Sequence, residues 1–126
     1  MTGMIEGGVC EDERGSLRFC NDFDMSPVKR FYTISNSRAQ PVRGWIGHKK
    51  ETKWLLPTRG MTTVCVEPMD KMSSSEAFLL DSRNPHVLKI DPGNWFCIKQ
   101  GGESEVMVFS DCKVGEYEND DLRRPL

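Results

Sequence analysis

The chemistry that this chain could perform centres on a histidine in the segment RGWIGHK at residues 43–49, which otherwise has the composition of a β-strand. Because a strand alternates its faces, Ile46 and His48 are predicted to point one way, and Arg43, Trp45 and Gly47 the other. An imidazole has an ordinary pKa of about 6.5, so a histidine facing a closed interior could carry protons near neutral pH. A hydrogen-bonded core histidine is the alternative, and the segment alone leaves both interpretations open.

Length and charge narrow the classes of function. A chain of 126 residues suits one domain with one core. Seventeen Lys and Arg against nineteen Asp and Glu give a formal charge of −2, so no basic surplus indicates nucleic acid or an anionic membrane as a partner. Any anion that the protein binds must therefore be held by a local group of cations.

The cysteines and the apolar runs indicate the compartment. Five cysteines, none of them in a Cys-x-x-Cys pair, argue against a disulfide framework and against a zinc knuckle. The first eight residues lack the basic start and apolar core of a signal peptide, and no apolar run approaches the roughly 18 residues of a membrane span. We expect a reducing, cytoplasmic setting.

Short β-rich runs separated by turn residues dominate the chain. Turn signals occur at PTRG (57–60), DPGN (91–94) and GG (101–102), whose proline and glycine residues suit tight turns. Helical periodicity is absent, and residues 69–75 suit an irregular turn or a loop. The pattern predicts antiparallel pairing in a sandwich or closed barrel, and the number of candidate strands, eight, favours a jelly roll. The eight predicted strands are Lys29–Ile34, Val42–Lys49, Lys53–Leu56, Met61–Glu67, Ala77–Leu80, Val87–Ile90, Trp95–Lys99 and Glu105–Ser110.

The predicted domain organisation is one domain over residues 1–126, with residues 1–8 and 118–126 peripheral. The carboxy-terminal tail, residues 115–126, is acidic and then basic, so we expect it to lie on the surface as a solvated terminus.

Several motifs in a fixed order carry a resemblance to a known family. They are DERGSLRF (12–19), KRFY (29–32), RGWIGHK (43–49), VLKIDPGNW (87–95), VFSD (108–111) and NDD (119–121). Together they resemble the WxcM-like branch of the RmlC-like cupins, whose best-known members are the dTDP-sugar 3,4-ketoisomerases. The resemblance implies a cupin double-stranded β-helix, a nucleotide-sugar ligand that is dTDP-linked, no cofactor, and a homodimer whose partners sometimes exchange amino-terminal strands.

One residue departs from the family pattern. The ketoisomerases resemble one another in a motif with two inward-facing histidines, whereas this chain retains only the second, His48, and has Ile46 in the first position. Isoleucine cannot carry a proton. The same change removes a ligand that metal-binding cupins use, and with only His48 and Glu51 available we expect no catalytic metal.

The resemblance also suggests residues for the site. His48 would be the base, and Tyr32 or, less favoured, Glu51 would carry the second proton, unless Tyr32 simply packs in its strand. Arg14 and Arg43 match arginines that related enzymes use to hold the sugar nucleotide, unless either one forms an ordinary surface ion pair. Further substrate-binding candidates are Arg30, Lys49 and Trp95; Arg30 could instead form a surface ion pair, and Trp95 could instead be a packing residue.

Three functions remain open at this point. The first is an isomerase or epimerase of a nucleotide-linked 4-keto-6-deoxy sugar in cell-surface polysaccharide biosynthesis, 3,4-ketoisomerase-like. The second is a non-catalytic sugar or sugar-nucleotide binding cupin that has lost its reaction with the first histidine. The third, disfavoured by the count of ligands, is a metal-dependent dioxygenase-type cupin.

Overall fold

The computed structural model describes residues 1–36, 42–71 and 74–126, and in these ranges every regular element is a β-strand. The predicted all-β fold is therefore confirmed. The strands are β1 (Gly3–Ile5), β2 (Gly8–Asp12), β3 (Gly15–Phe19), β4 (Arg30–Ser35), β5 (Val42–His48), β6 (Lys53–Pro68), β7 (Glu76–Asp81), β8 (Val87–Ile90), β9 (Asn94–Ser110) and β10 (Leu122–Arg123).

Eight of these strands form one antiparallel sheet in the order β1-β8-β6-β9-β5-β10, with β4 added to β9 and β7 added to β6. Strands β2 and β3 form a separate two-stranded hairpin. The long strands β6 and β9 pair along most of their length and connect the rest of the sheet.

Two of the predicted turns are wrong, because PTRG and GG lie within the long strands β6 and β9. The pairing register of β6 with β9 shifts between Pro57 and Met61. Gly60 has φ of +67° and Gly102 has φ of +54°, values that side chains with a Cβ rarely adopt. Turn-type residues here form an irregularity that bends each strand without ending it. The DPGN turn is confirmed, and Gly93 at its tip has φ of +88°.

Four strands lie outside the predicted set: β1, β2, β3 and β10. Each has five residues or fewer, and the β2–β3 hairpin is largely exposed, so no alternation of apolar and polar residues marks it. Residues 72 and 73, in the predicted irregular segment 69–75, lie outside the described residues.

The alternation predicted for the central strands places two apolar clusters on opposite faces of the sheet. The barrel interior holds Leu55, Val64, Val66, Val106 and Val108, all of them buried. Trp54 and Phe109 pack on the other face with Phe23. A residue two positions from an interior residue therefore also faces the cavity of the barrel.

The carboxy-terminal tail is mostly exposed, as expected for a surface segment, but Asp120 is 5% exposed. Strand β10 pairs with the outer edge of β5. The guanidinium carbon of Arg124 lies 4.5 Å from the ring centroid of Trp45 and 5.1 Å from that of Trp95, and Arg124 donates to Glu67 at 2.8 Å. These contacts fix the tail against the barrel. Among the described residues, no helix is long and apolar enough to cross a membrane.

Candidate functional site

A cavity of about 590 Å³ opens between strands β4, β5 and β6 and the carboxy-terminal segment. Its volume lies within the range of small-molecule sites in proteins. Ile46 and His48 both line it, as their shared strand face predicts. The residues that line the cavity include Arg30, Tyr32, Arg43, Ile46, His48, Glu51, Lys53, Asp120 and Arg123.

Arg43 also lines the cavity, although strict alternation places it on the opposite face from His48. Strand β5 pairs Arg43 with Ile98 and Ile46 with Phe96, so three steps along β5 match two along β9. This is the count of a β-bulge, which turns the strand by one residue. The prediction that Arg43 points away from His48 is therefore wrong, because an irregularity at Gly44 and Trp45 restores Arg43 to the inner face.

His48 is buried at the end of β5, and its two ring nitrogens have different surroundings. Nδ1 lies 2.7 Å from the backbone carbonyl oxygen of Asp120. A carbonyl can only accept a hydrogen bond, so Nδ1 must carry the proton. In the neutral ring Nε2 then holds the lone pair, and within the described part of the chain Nε2 has no hydrogen-bond partner. The arrangement leaves an unprotonated, buried nitrogen on a side chain that lines the cavity.

The side chain of Asp120 stabilises the turn that follows His48. Its two carboxylate oxygens accept hydrogen bonds from the backbone N–H groups of Lys49, Lys50 and Glu51 at 2.7, 3.1 and 2.9 Å. Burial opposes ionisation of Asp120, but these amides and the nearby His48 hold the pKa of its carboxyl below the usual 3.8. Asp120 thus contacts His48 through its carbonyl and the next turn through its carboxylate.

Glu51 is the centre of a buried charged group. Its Oε2 accepts a hydrogen bond from the Ser110 hydroxyl at 2.6 Å and lies 3.5 Å from Arg30 Nη2 and 3.7 Å from Lys53 Nζ. Burial raises the pKa of the Glu51 carboxyl, but the Ser110 hydrogen bond and the charges of Lys53 and His48 outweigh burial and hold the pKa below its usual range. Glu51 is therefore ionised near neutral pH.

Tyr32 lies on β4 and faces the same cavity. Its hydroxyl oxygen accepts a hydrogen bond from Lys53 Nζ at 2.8 Å, and Arg30 lies over its ring at 5.2 Å. Lys53 is buried on the face of β6 that also carries Leu55. The structure thus brings Tyr32, His48 and Lys53 to one cavity wall.

The cavity wall is rich in cationic groups. Arg30 is fixed by a hydrogen bond from Nε to the Cys112 carbonyl at 3.1 Å. Arg123 pairs with the exposed Asp121 at 3.1 Å. In residues 1–36, 42–71 and 74–126, Arg43 has no hydrogen bond or ion pair, which leaves its guanidinium available to an anion.

Three predicted ligand residues lie away from the cavity. Arg14 sits at the tip of the β2–β3 hairpin, is largely exposed, and pairs with Asp12 at 2.6 Å. Trp95 stacks on Arg124 at the outside of the barrel. Lys49 is exposed and meets the site only through its backbone N–H, which donates to Asp120.

The comparison with protein families gives one match, to the family described as FdtA: WxcM-like, C-terminal, over residues 2–125. The chain belongs to this family. Among curated proteins, none matches the chain in sequence. The family resemblance predicted from the motifs is thus confirmed over nearly the whole chain.

Solved structures similar to this WxcM-like chain include dTDP-sugar ketoisomerases. The 3,4-ketoisomerase QdtA from Thermoanaerobacterium thermosaccharolyticum, a histidine-to-asparagine mutant in complex with TDP-4-keto-6-deoxyglucose, has TM-score 0.77 and 20% identity over 98% of this chain and 87% of that one. A 3,4-ketoisomerase from Helicobacter canadensis has TM-score 0.78 and 20% identity over 98% and 90%. The Mycobacterium tuberculosis rmlC epimerase has TM-score 0.72 and 16% identity over 87% and 62%. These similarities establish the fold.

The side chains of His48, Glu51 and Asp120 form the one trio in the described residues of this WxcM-like chain that could offer three ligand atoms to a metal. The donors are already engaged. Nδ1 faces the two carboxylates at 3.7 and 3.9 Å but donates its proton to a carbonyl. The carboxylate oxygens accept from backbone amides and Ser110. Since the Lys53 and Arg30 cations also adjoin Glu51, the trio fits a cation poorly.

Sequence reasoning missed Asp120 and Lys53 as parts of the site. A weak signal for Lys53 was present, because in the run KWLL (53–56) Lys53 shares a strand face with the buried Leu55. The position of Asp120 had no local signal, since a single aspartate in an acidic tail is typical of a solvated terminus.

We predict that Asp120→Asn lowers the free energy of unfolding by about 1–3 kcal/mol at neutral pH, because an amide group cannot accept the N–H bonds of Lys49, Lys50 and Glu51 equally well. The carboxyl has a lowered pKa when folded, so its stabilisation is fully present above the unfolded value and is lost as pH falls through the folded one. Urea unfolding from about pH 7 to pH 3 should therefore show the gap between wild type and variant shrinking below about pH 4.

Asp121→Asn is the matched control, because Asp121 is exposed and, among the residues that the structure describes, pairs only with Arg123. It should change the free energy of unfolding by about 0.5 kcal/mol or less. Equal stability of wild type and Asp120→Asn at neutral pH would contradict the role given to Asp120.

Proposed function

We propose that this chain is an isomerase or epimerase of a nucleotide-linked 4-keto-6-deoxy sugar, 3,4-ketoisomerase-like, that works without a cofactor. The observation that carries the proposal is the unpartnered, buried Nε2 of His48, a residue that lines a cavity together with several cations. The TDP-4-keto-6-deoxyglucose in the complex of QdtA supports the choice of ligand.

His48 supplies the base in this reaction. The hydrogen on the carbon beside a ketone is acidic because the carbonyl delocalises the negative charge that its removal leaves. Nε2 takes this proton, while Nδ1 keeps its own proton and continues to donate it to the Asp120 carbonyl, so the ring keeps its orientation as it becomes an imidazolium. The ionised Glu51, 3.7 Å from Nδ1, stabilises that positive charge.

Tyr32 supplies the second proton carrier that Ile46 cannot. Its hydroxyl lies in the same cavity as His48 and is oriented by the bond from Lys53. Glu51, the less favoured candidate, is ionised and engaged by Ser110, Arg30 and Lys53, so it is suited to stabilise charge and not to donate a proton.

The diphosphate is assigned to the cationic wall. Arg43 is the principal ligand, because a planar guanidinium grips two phosphate oxygens at once and Arg43 has no competing partner among the described residues. Arg30 and Arg123 add positive charge at the same cavity. The contacts of Trp95 and Lys49 favour structural roles for both residues.

The proposed function extends to a homodimer and to a cytoplasmic location. Arg14 is remote from the cavity of its own chain, but it lies on a projecting hairpin, and an exchange of amino-terminal strands in a homodimer would bring it to the cavity of a second copy. We assign the protein to the cytoplasm and to cell-surface polysaccharide biosynthesis, where nucleotide sugars with this chemistry are consumed.

A non-catalytic sugar-nucleotide binding protein is the second candidate, and Ile46 is the observation that favours it. The apolar side chain stands beside His48 on the cavity wall, where the ketoisomerase pattern has a second titratable ring. Such a protein would bind the same ligand through Arg43 without moving its protons.

The two candidate functions predict different results for deuterium exchange in heavy water. We expect incubation of the protein with a dTDP-4-keto-6-deoxyhexose in deuterium oxide to place deuterium beside the carbonyl, read by proton NMR and mass spectrometry. His48→Asn should reduce this exchange by at least about 100-fold while TDP binding changes little, because asparagine cannot act as the base.

The control is His86→Asn, since His86 lies outside the cavity and accepts a hydrogen bond from the Gly7 backbone. It should exchange deuterium like the wild type. No exchange by the wild type, with TDP still bound, would leave the binding protein as the function. Unchanged exchange in His48→Asn would remove His48 from the mechanism.

Nucleotide binding is predicted to depend on Arg43. Arg43→Leu should weaken TDP binding by about tenfold or more, because one charge-assisted phosphate contact contributes about 1.5–3 kcal/mol. Isothermal titration at low and high salt measures the effect, and the salt dependence should also fall. Arg59→Leu, at an exposed arginine outside the cavity, is the control and should bind TDP as the wild type does.

The same titration tests the exchanged hairpin. In a homodimer with exchanged strands, Arg14→Leu also weakens TDP binding, whereas without exchange it has no effect, because within the described part of its own chain Arg14 pairs only with Asp12. A dimer by sedimentation with wild-type TDP affinity in Arg14→Leu would contradict the proposed place of Arg14.

A further inference from the structure

Lys53 is the most unusual charged group of the described chain, because its side chain is only 9% exposed at the first residue of β6. Lysine is almost never fully buried unless its charge is compensated. The strand β6 places Lys53 on the face of Leu55, so its ammonium points to the cavity that His48 also lines. Its presence there requires an explanation beyond packing.

The surroundings of Lys53 compensate a positive charge. Glu51 Oε2 lies 3.7 Å from Nζ, and Glu51 is ionised near neutral pH because the Ser110 hydrogen bond and neighbouring cations overcome its burial. The faces of the Tyr32 and Phe96 rings lie 5.4 and 5.8 Å from Nζ, distances at which an aromatic ring attracts a cation.

The hydrogen bond between Lys53 and Tyr32 has only one direction. An ammonium can only donate, so Nζ donates to the Tyr32 oxygen over 2.8 Å. A phenol has one proton of its own, and within the described residues the Tyr32 hydroxyl has no acceptor for it. The acceptor side of Tyr32 is thus taken by a cation, and its proton is left for a ligand in the cavity.

We propose that Lys53 is a positioning residue that enables Tyr32 to exchange protons with the two oxygens of the reacting ketose, while His48 moves the proton between carbons. This inference rests on the proposed function and deepens it. It explains how one histidine suffices beside Ile46, because the oxygen protons and the carbon proton have separate carriers.

The protons balance in two steps, written for a 4-ketone with a hydroxyl on C3. First, the C3–H proton goes to His48 Nε2, a C3=C4 double bond forms, and O4 takes the proton of the Tyr32 hydroxyl. The phenolate that results lies against the Lys53 ammonium, which stabilises it. Second, the phenolate takes the O3–H proton, C3=O forms, and the His48 imidazolium returns its proton to C4. Both side chains are restored.

The test is a double-mutant cycle on the 4-keto sugar turnover with Lys53→Met, Tyr32→Phe and the double variant. Lys53→Met should lower kcat by about 10- to 100-fold with KM and TDP affinity within about twofold, since a general acid contributes about 10²–10⁴-fold. In the Tyr32→Phe background the Lys53 change should lower kcat no further, because its effect passes through the hydroxyl. Simple loss of structure would instead multiply the two effects.

Further variants separate charge from packing and cover a failure to fold. Lys53→Arg should restore kcat to within about tenfold of wild type, and Lys53→Gln, which keeps a donor without a charge, should resemble Lys53→Met. Thermal unfolding and circular dichroism establish which variants are folded, and Lys53→Gln replaces Lys53→Met in the cycle if methionine prevents folding. Lys99→Met, at an exposed lysine of β9 outside the cavity, should match wild type.

The outcomes distinguish this inference from the function on which it rests. A wild type without turnover or deuterium exchange overturns both. An active wild type whose Lys53 and Tyr32 variants have multiplicative effects, or whose Lys53→Gln variant is as fast as wild type, overturns the role of Lys53 alone. Equal kcat for Tyr32→Phe and the double variant, with rescue by arginine, supports it.

Discussion

One hydrogen bond, from Nδ1 of His48 to the backbone carbonyl of Asp120, determines what the cavity can do. Because a carbonyl only accepts, the bond fixes the proton on Nδ1 and leaves the lone pair on Nε2. Its acceptor is part of the backbone, so it cannot take the proton from the ring. The arrangement orients a base without competing with it.

That bond depends on a segment 72 residues further along the chain. The tail is held by the Arg124 guanidinium between two tryptophan rings, by the pairing of β10 with β5, and by the carboxylate of Asp120 on three backbone amides. Asn119, with φ of +57°, adopts a left-handed conformation that asparagine tolerates directly before Asp120. The carboxy-terminal tail is therefore part of the proposed active site, and substitutions that loosen it should weaken the hydrogen bond to His48.

The charged side chains that line the cavity share one principle, which is that cations outnumber anions. The cations are Arg30, Arg43, Lys53, Lys113 and Arg123, and the anions are Glu51, Asp120 and Asp121. Among the described residues, Glu51 is the carboxylate within 4 Å of both Arg30 and Lys53. Breaking such a buried group by removing the anion is costly, because unpaired charges remain in a poorly solvated place. The surplus of positive charge favours an anionic ligand and, in the proposed reaction, the negative charge that develops on the sugar oxygens.

How far the sequence predicts this structure differs from residue to residue. Strand periodicity was enough for the all-β fold and for Ile46 and His48 on one wall, because burial and alternation are local properties. It failed for Arg43, since a bulge shifts the alternation and the Gly44 that accompanies it also suits a turn. The roles of Asp120 and Lys53 depend on contacts 72 and 21 residues away, to His48 and to Tyr32, which no local pattern encodes. Local patterns also failed at PTRG and GG, because pairing between the long strands β6 and β9 on both sides of these segments kept the strands continuous.

The tautomers of the two histidines test the central claim most directly. His48 donates from Nδ1 to a carbonyl, whereas Nδ1 of His86 accepts the backbone N–H of Gly7 at 2.8 Å, so the two neutral rings should be opposite tautomers. Nitrogen-15 NMR of the histidine rings, at a pH about two units above the ordinary imidazole pKa of 6.5, reads this out, with His86→Asn assigning the signals. We predict the proton on Nδ1 of His48 and on Nε2 of His86. A proton on Nε2 of the His48 ring would contradict the account, because the unpartnered nitrogen would then be a donor and not a base.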